Sequence, residues 1–139
     1  MANELVWTLV DSNIWLDSFG PDSEWKSWSE AALSEAFNEG PLCTNPLIYA
    51  ELSVRFDRAE DLEALIPPHT VVREPLPYSA AFLAGKAFKL YKQRGGSKRS
   101  PLPDFYIGGH AMVRGYRLLT RDTSRYKTYF PKLDVIGPE

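Results

Sequence analysis

Four carboxylates in this 139-residue sequence, Asp11, Glu51, Asp104 and Asp122, fall where an apolar run or a helix start would hold them in place. Asp11 closes the run Leu5 to Val10, and Asp122 lies two residues beyond Thr120 at the end of another apolar stretch. Open parallel sheets bind ligands beyond the carboxyl ends of their strands, so acids at two such ends can face one crevice. Asp104 follows Pro103 at a helix start, and Glu51 lies within a helical pattern that opens at Asn45-Pro46. Oxygen donors of this kind suit a hard divalent cation, and crowding them together without one raises their pKa values. A cation held there polarises a phosphoryl oxygen and supplies hydroxide from bound water, which is what phosphodiester hydrolysis requires. Each acid also has an ordinary use. Asp11, Asp104 and Asp122 suit helix caps or turns, and Glu51 stands four residues before Arg55, the spacing of a surface ion pair.

The elements that would position these acids alternate in type. Leu5 to Val10 reads as a strand buried on both faces, ended by Asp11. Asp22 or Ser23 then caps a helix running to about Asn38, with Trp25, Trp28, Ala32, Leu33 and Phe37 near helical spacing before Gly40-Pro41. Leu42 to Thr44 is a short strand, and Leu47, Ile48, Leu52 and Phe56 mark one face of the next helix. A short helix from Asp57 or Ala59 to Ile66 stops at Pro67-Pro68, and Thr70 to Arg73 is a β-branched strand. The spacing predicts a helix over Ser79 to Arg94, with Lys86, Lys89 and Lys92 away from its apolar face, ended by Gly95-Gly96. A basic, mobile loop from Ser97 to Leu102 leads to a helix from Pro103 to Val113, in which Gly108-Gly109 permits close backbone packing. Tyr116 to Thr120 is a strand, Asp122-Thr123-Ser124 a turn and Val135-Ile136 a last short strand. That order specifies an α/β fold with a mainly parallel sheet and right-handed crossovers, as a single domain over residues 1–139.

Composition narrows the function classes. An apolar fraction of 44%, with 4 Trp, 7 Tyr and 7 Phe, supports a sizeable core and excludes a disordered chain. A lone cysteine, Cys43, forms no internal disulfide, and the absence of C-x-x-C and H-E-x-x-H patterns removes support for zinc. A reducing cytoplasm is the expected home, because Glu4 replaces a basic leader segment and no apolar run approaches the roughly 18 residues of a membrane span. The net charge of −2 conceals a division. Residues 1–75 carry four basic against fourteen acidic side chains, a balance of −10, and residues 76–139 carry twelve against four, a balance of +8. Such asymmetry suits an anionic partner, although halves that fold against each other cancel much of the field.

The phrases around the acids are Leu9-Val10-Asp11-Ser12-Asn13-Ile14-Trp15, Tyr49-Ala50-Glu51-Leu52, Pro103-Asp104-Phe105-Tyr106-Ile107-Gly108-Gly109-His110-Ala111 and Leu118-Leu119-Thr120-Arg121-Asp122. Their order and context resemble a PIN domain of the VapC toxin type, from Leu5 to about Pro138. The stretch Phe105 to Gly109 departs from the resemblance, being bulkier and richer in glycine than the small apolar helix usual there. The resemblance implies a three-layer α/β/α fold with a short, mainly parallel central sheet. It also implies that Asp11, Glu51, Asp104 and Asp122 form an Mg2+ or Mn2+ site for RNA cleavage, supported by Asn13 and Thr120. A small VapB-like antitoxin, a homodimer and a structured RNA substrate such as tRNA or rRNA are implied as partners.

Under that reading Lys86, Lys89, Lys92, Lys98, Arg99 and Arg121, with Arg114, Arg117 and Arg125, are candidates to hold RNA phosphates. Trp15, Phe105 and Tyr106 suit either base stacking or the core, and the core is the commoner use. His110, on an apolar helix, reads as a packed, hydrogen-bonded residue more than a proton carrier. A phosphoaspartyl enzyme would want a second aspartate where Asn13 stands, and a serine hydrolase would want a G-x-S-x-G elbow that the chain lacks. The alternative from another class is a PIN-like binding module whose acids are structural.

Overall fold

Five short strands and seven helices alternate through residues 5–21, 24–99 and 102–138, the residues that the computed structural model describes. In chain order they are β1 (Thr8–Val10), α1 (Ser12–Phe19), α2 (Lys26–Glu39), β2 (Leu42–Thr44), α3 (Pro46–Ser53), α4 (Ala59–Leu65), β3 (Val71–Arg73), α5 (Tyr78–Gln93), α6 (Pro103–Arg114), β4 (Arg117–Leu119), α7 (Thr123–Tyr129) and β5 (Val135–Ile136). The sheet order is β3-β2-β1-β4-β5, and all four pairings are parallel. Successive strand residues point to opposite faces, and every residue of β1 and β2 is buried, so both faces of the central sheet are covered. The mainly parallel α/β fold expected from the sequence is the one observed.

Local chemistry explains where the helices begin and stop. Asn45 caps α3, its Oδ1 accepting from the Ile48 N–H at 3.0 Å, and Pro46 follows as the first helical residue. Pro103 opens α6 in the same way, and Gly115 closes it in the left-handed region at φ 69°. Helices α5 and α6 lie against each other along small residues: Ala80, Ala84 and Ala87 are buried, and a Cβ on Gly109 would come within 2.7 Å of the Ala80 carbonyl oxygen. The glycine pair read from the sequence is thus a contact point. Leu9, Ile14, Ile48, Leu52, Ile107, Leu118 and Leu119 are fully buried in one hydrophobic cluster that joins the sheet to these helices.

Two helices were not expected. Residues 12–19 form α1 where the sequence shows no clear apolar period, because Asp11 accepts a hydrogen bond from the Ser12 N–H and Ile14 and Trp15 are buried. Residues 123–129 form α7 where only a turn was expected at Asp122-Thr123-Ser124, and of its residues Tyr126 alone is buried. The first strand is also shorter than expected, beginning at Thr8 instead of Leu5. The expected caps Asp22 and Ser23 lie outside the described residues, as do Ser100 and Pro101 of the basic loop. Among the described residues no helix is long and apolar enough to cross a membrane.

Candidate active site

Asp11 sits at the carboxyl end of the central strand, where its backbone N–H still pairs with Leu119 O of β4 at 2.9 Å. One carboxylate oxygen caps α1, and the other accepts from the Thr120 hydroxyl at 2.9 Å and from the Tyr126 hydroxyl at 3.1 Å. Thr120 leaves β4 as Asp11 leaves β1, so sheet register alone brings the two together. The Thr120 hydroxyl also accepts from the Asp122 N–H at 3.0 Å and from Asn13 Nδ2 at 3.3 Å. Asn13 Oδ1 in turn accepts from the Arg121 N–H. The first turn of α1 and the loop after β4 are therefore stitched together by the side chains of Asp11, Asn13 and Thr120.

The other acids reach the same cleft from three more elements. Glu51, on α3, accepts from the Ser12 hydroxyl at 3.1 Å, one residue from Asp11. Asp104, in the first turn of α6, accepts from the Tyr126 hydroxyl at 3.1 Å, so that one phenolic proton lies between two carboxylates. Its second oxygen takes the Arg125 guanidinium at 2.6 Å. Asp122, half exposed at the start of α7, lies 3.8 Å from the same guanidinium. The ion pair between Glu51 and Arg55 is not formed; α3 ends at Ser53, and Glu51 turns inward.

The electrostatics of the cleft are unbalanced. Burial pushes the Asp11 carboxyl above its usual range and the Asp104 charge adds to that, against the Thr120 hydroxyl, which pulls it down. Burial, followed by the Asp11 charge, pushes Glu51 up to about 7. Tyr126, buried beside Asp11 and Asp104, keeps its proton far above the ordinary phenol range. Arg125 is the cation that touches Asp104 and stands near Asp122. Oxygen donors short of positive charge are the donor set a hard divalent cation takes. Among the described residues, no three of them close on one point; Tyr126 lies between Asp11 and Asp104, and Arg125 between Asp104 and Asp122.

A family model for the PIN domain matches residues 8–131. The chain belongs to the PIN-domain family. Solved structures agree on the fold. A chain of VapBC2 from Rickettsia felis, crystallised with a DNA fragment from their promoter, is 16% identical, with a TM-score of 0.70 over 96% of this chain and 100% of that one. A chain of a toxin-antitoxin complex from Klebsiella pneumoniae is 20% identical, with a TM-score of 0.67 over 95% of this chain and 98% of that one. Mycobacterium tuberculosis VapC20, a sarcin-ricin loop cleaving toxin, is 14% identical, with a TM-score of 0.63 over 94% of this chain and 99% of that one. No curated protein matches the chain by sequence.

Within this PIN domain the basic residues divide. Arg121 is engaged within the fold: it forms an ion pair with the buried Asp17, with Nε and Nη2 at 2.6 and 3.0 Å, and lies over the Trp25 ring. Arg117 pairs with Glu39 at 3.2 Å. Lys86, Lys89 and Lys92 stand on the exposed side of α5, and Lys98 and Arg99 on the loop beyond it. Trp15 and Phe105 belong to the core. Sequence reasoning missed Ser12 and Tyr126. Tyr126 had a usable signal, since it stands four residues before Phe130 and the two mark an apolar face once 123–129 is recognised as a helix.

Proposed function

We propose that this PIN domain is a metal-dependent endoribonuclease, the toxin of a toxin-antitoxin pair, restrained by a small antitoxin of the VapB kind. The observation that carries the reading is the bridge Asp11–Tyr126–Asp104, with Glu51 joined to it through Ser12. It brings four elements distant in sequence to one cleft whose carboxylates outnumber the cation that touches them, Arg125. Asp11, Glu51 and Asp104 would hold Mg2+ or Mn2+, with Asp122 at the rim. Held by these residues, a divalent cation would supply Lewis-acid polarisation of the phosphate and activation of water near neutral pH.

The chain's own groups supply orientation and charge. Thr120, itself held by Asn13, fixes the Asp11 carboxylate, and Ser12 fixes that of Glu51. Arg125, half exposed at the rim, can turn from Asp104 to a phosphate. Lys86, Lys89, Lys92, Lys98 and Arg99 present further positive charge to an RNA backbone. The antitoxin proposal draws on the similar folds found in VapBC complexes, and a homodimer is proposed from the resemblance of the sequence to VapC-type toxins alone.

The test is cleavage of an RNA transcript with Mg2+, Mn2+ or EDTA by the wild type, Asp11→Asn and Asp104→Asn, each shown by melting to be folded. Cleavage is expected only in the wild type with metal. RNA ends that are the same in the wild type and in Asp104→Asn overturn the site. Binding of RNA without any cleavage leaves the binding-module reading in its place.

A further inference from the structure

Asn45 stands between β2 and α3, and the two ends of its side-chain amide have different partners. The Ile48 N–H donates to Oδ1 at 3.0 Å. A backbone N–H only donates, so the amide oxygen faces α3 and the nitrogen Nδ2 faces away. Nδ2 lies 2.9 Å from Nδ1 of His110 on α6, and both side chains are buried. The amide nitrogen is also a donor only, so Nδ1 accepts and the ring proton is on Nε2. Nε2 has no hydrogen-bond partner; Glu74 Oε1 is 3.7 Å away and is held by the Tyr116 hydroxyl at 2.7 Å. Asn45, and not a partner at Nε2, therefore selects the tautomer.

This bond has a lever on the cleft. Helix α3 has eight residues, too few to hold itself in place, so what anchors its start fixes its path. Glu51 lies six residues beyond Asn45 and Asp104 six residues before His110. At the helical rise both are about 9 Å from the bond, toward the cleft. Among the described residues it is the side-chain hydrogen bond that ties the start of α3 to α6.

We propose that His110, locked as the Nε2–H tautomer, is a positioning residue that pins the α3 cap to α6 and so sets the gap between Glu51 and Asp104. The proposal rests on the metal-site reading above, and its test separates the two. His110→Leu removes the acceptor. Asn45→Ser keeps a good helix cap but removes the tie. His110→Asn returns an acceptor close to the place of Nδ1.

Mn2+ alone is titrated into each full-length variant by calorimetry, and RNA cleavage is measured in parallel. His110→Leu and Asn45→Ser are expected to bind Mn2+ about tenfold more weakly and to lose about tenfold in kcat with KM for RNA unchanged, the size usual for partners behind metal ligands. His110→Asn recovers most of both. Nitrogen NMR of the wild type is expected to show one of its two histidines fixed with the proton on Nε2. Variants that melt cooperatively yet bind Mn2+ as the wild type does overturn the proposal, as does a proton found on Nδ1. If His110→Leu does not fold, Asn45→Ser decides alone. A wild type that binds Mn2+ in a His110-dependent way but cuts no RNA sinks the nuclease reading and leaves the tie standing. Cleavage with unmoved Mn2+ affinity does the reverse, and a wild type that binds no Mn2+ sinks both.

Discussion

The Thr120 hydroxyl has one proton and two lone pairs, and all three are in use, toward Asp11, Asn13 and the Asp122 N–H. Thr120→Val keeps the shape and leaves three partners short of a bond in a buried place. It is expected to lower stability by about 1 to 3 kcal/mol in urea unfolding, with Thr120→Ser much closer to the wild type. Glu51 makes the pH argument. Its carboxyl is raised in the folded chain to about 7 from an ordinary 4.5, so the folded state binds the proton more tightly than the unfolded one. Its contribution is complete below about pH 4.5 and is lost as the pH rises toward 7; Asp11, raised as well, acts in the same direction. In EDTA, Glu51→Gln should therefore stabilise the chain at pH 8 by about 2 kcal/mol, a figure reduced from the full shift for partial exposure. Little gain is expected at pH 4.5, and a gain equal at both pH values would show that Glu51 ionises freely.

At the scale of elements, the contact between α5 and α6 depends on a missing side chain. A Cβ at Gly109 would meet backbone, the Ala80 carbonyl oxygen at 2.7 Å, and not the yielding end of a flexible side chain. Gly109→Ala is expected to cost about 1 to 3 kcal/mol despite alanine's better helix propensity. A mutant more stable than the wild type in thermal melts would show that the helices part easily. This contact was legible in the sequence from Gly108-Gly109, as were β2, β3, the start of α3 and the spans of α5 and α6, because turn residues and apolar spacing bound them; α3 stops at Ser53, short of the Phe56 placed on its face. Helices α1 and α7 were not. Ser12-Asn13 and Thr123-Ser124 are weak helix formers, and each segment is held by tertiary contacts: α1 by its Asp11 cap and buried Ile14, α7 by the buried Tyr126. The four acids were legible as candidates from their places at strand ends and helix starts. Their partners Ser12 and Tyr126 were not, since a hydroxyl's use is decided by what the fold sets beside it. Arg121 shows the same limit, reading as a free cation while the fold commits it to Asp17.

For the whole molecule, the acidic and basic halves of the chain are partly joined, through Arg117–Glu39 and Arg121–Asp17. What remains outside those pairs includes the exposed lysines of α5 and the Lys98-Arg99 loop. If those two loop cations meet phosphates of an unpaired strand, replacing both by alanine should flatten the plot of log affinity against log salt by about 1.4, or about 0.7 per contact. Binding assays from low to moderate salt measure this directly, and an unchanged slope would remove the loop from the RNA path.

The middle of the sheet has a consequence for synthesis. Strand β1 emerges first but borders β4, whose Leu119 lies more than a hundred residues later. Asp11 meets Thr120 and Tyr126 only when β4 and α7 are available. A ribosome that halts before α7 releases a product in which Asp11 lacks both of those partners, so the cleft assembles only after β4 and α7 have joined β1.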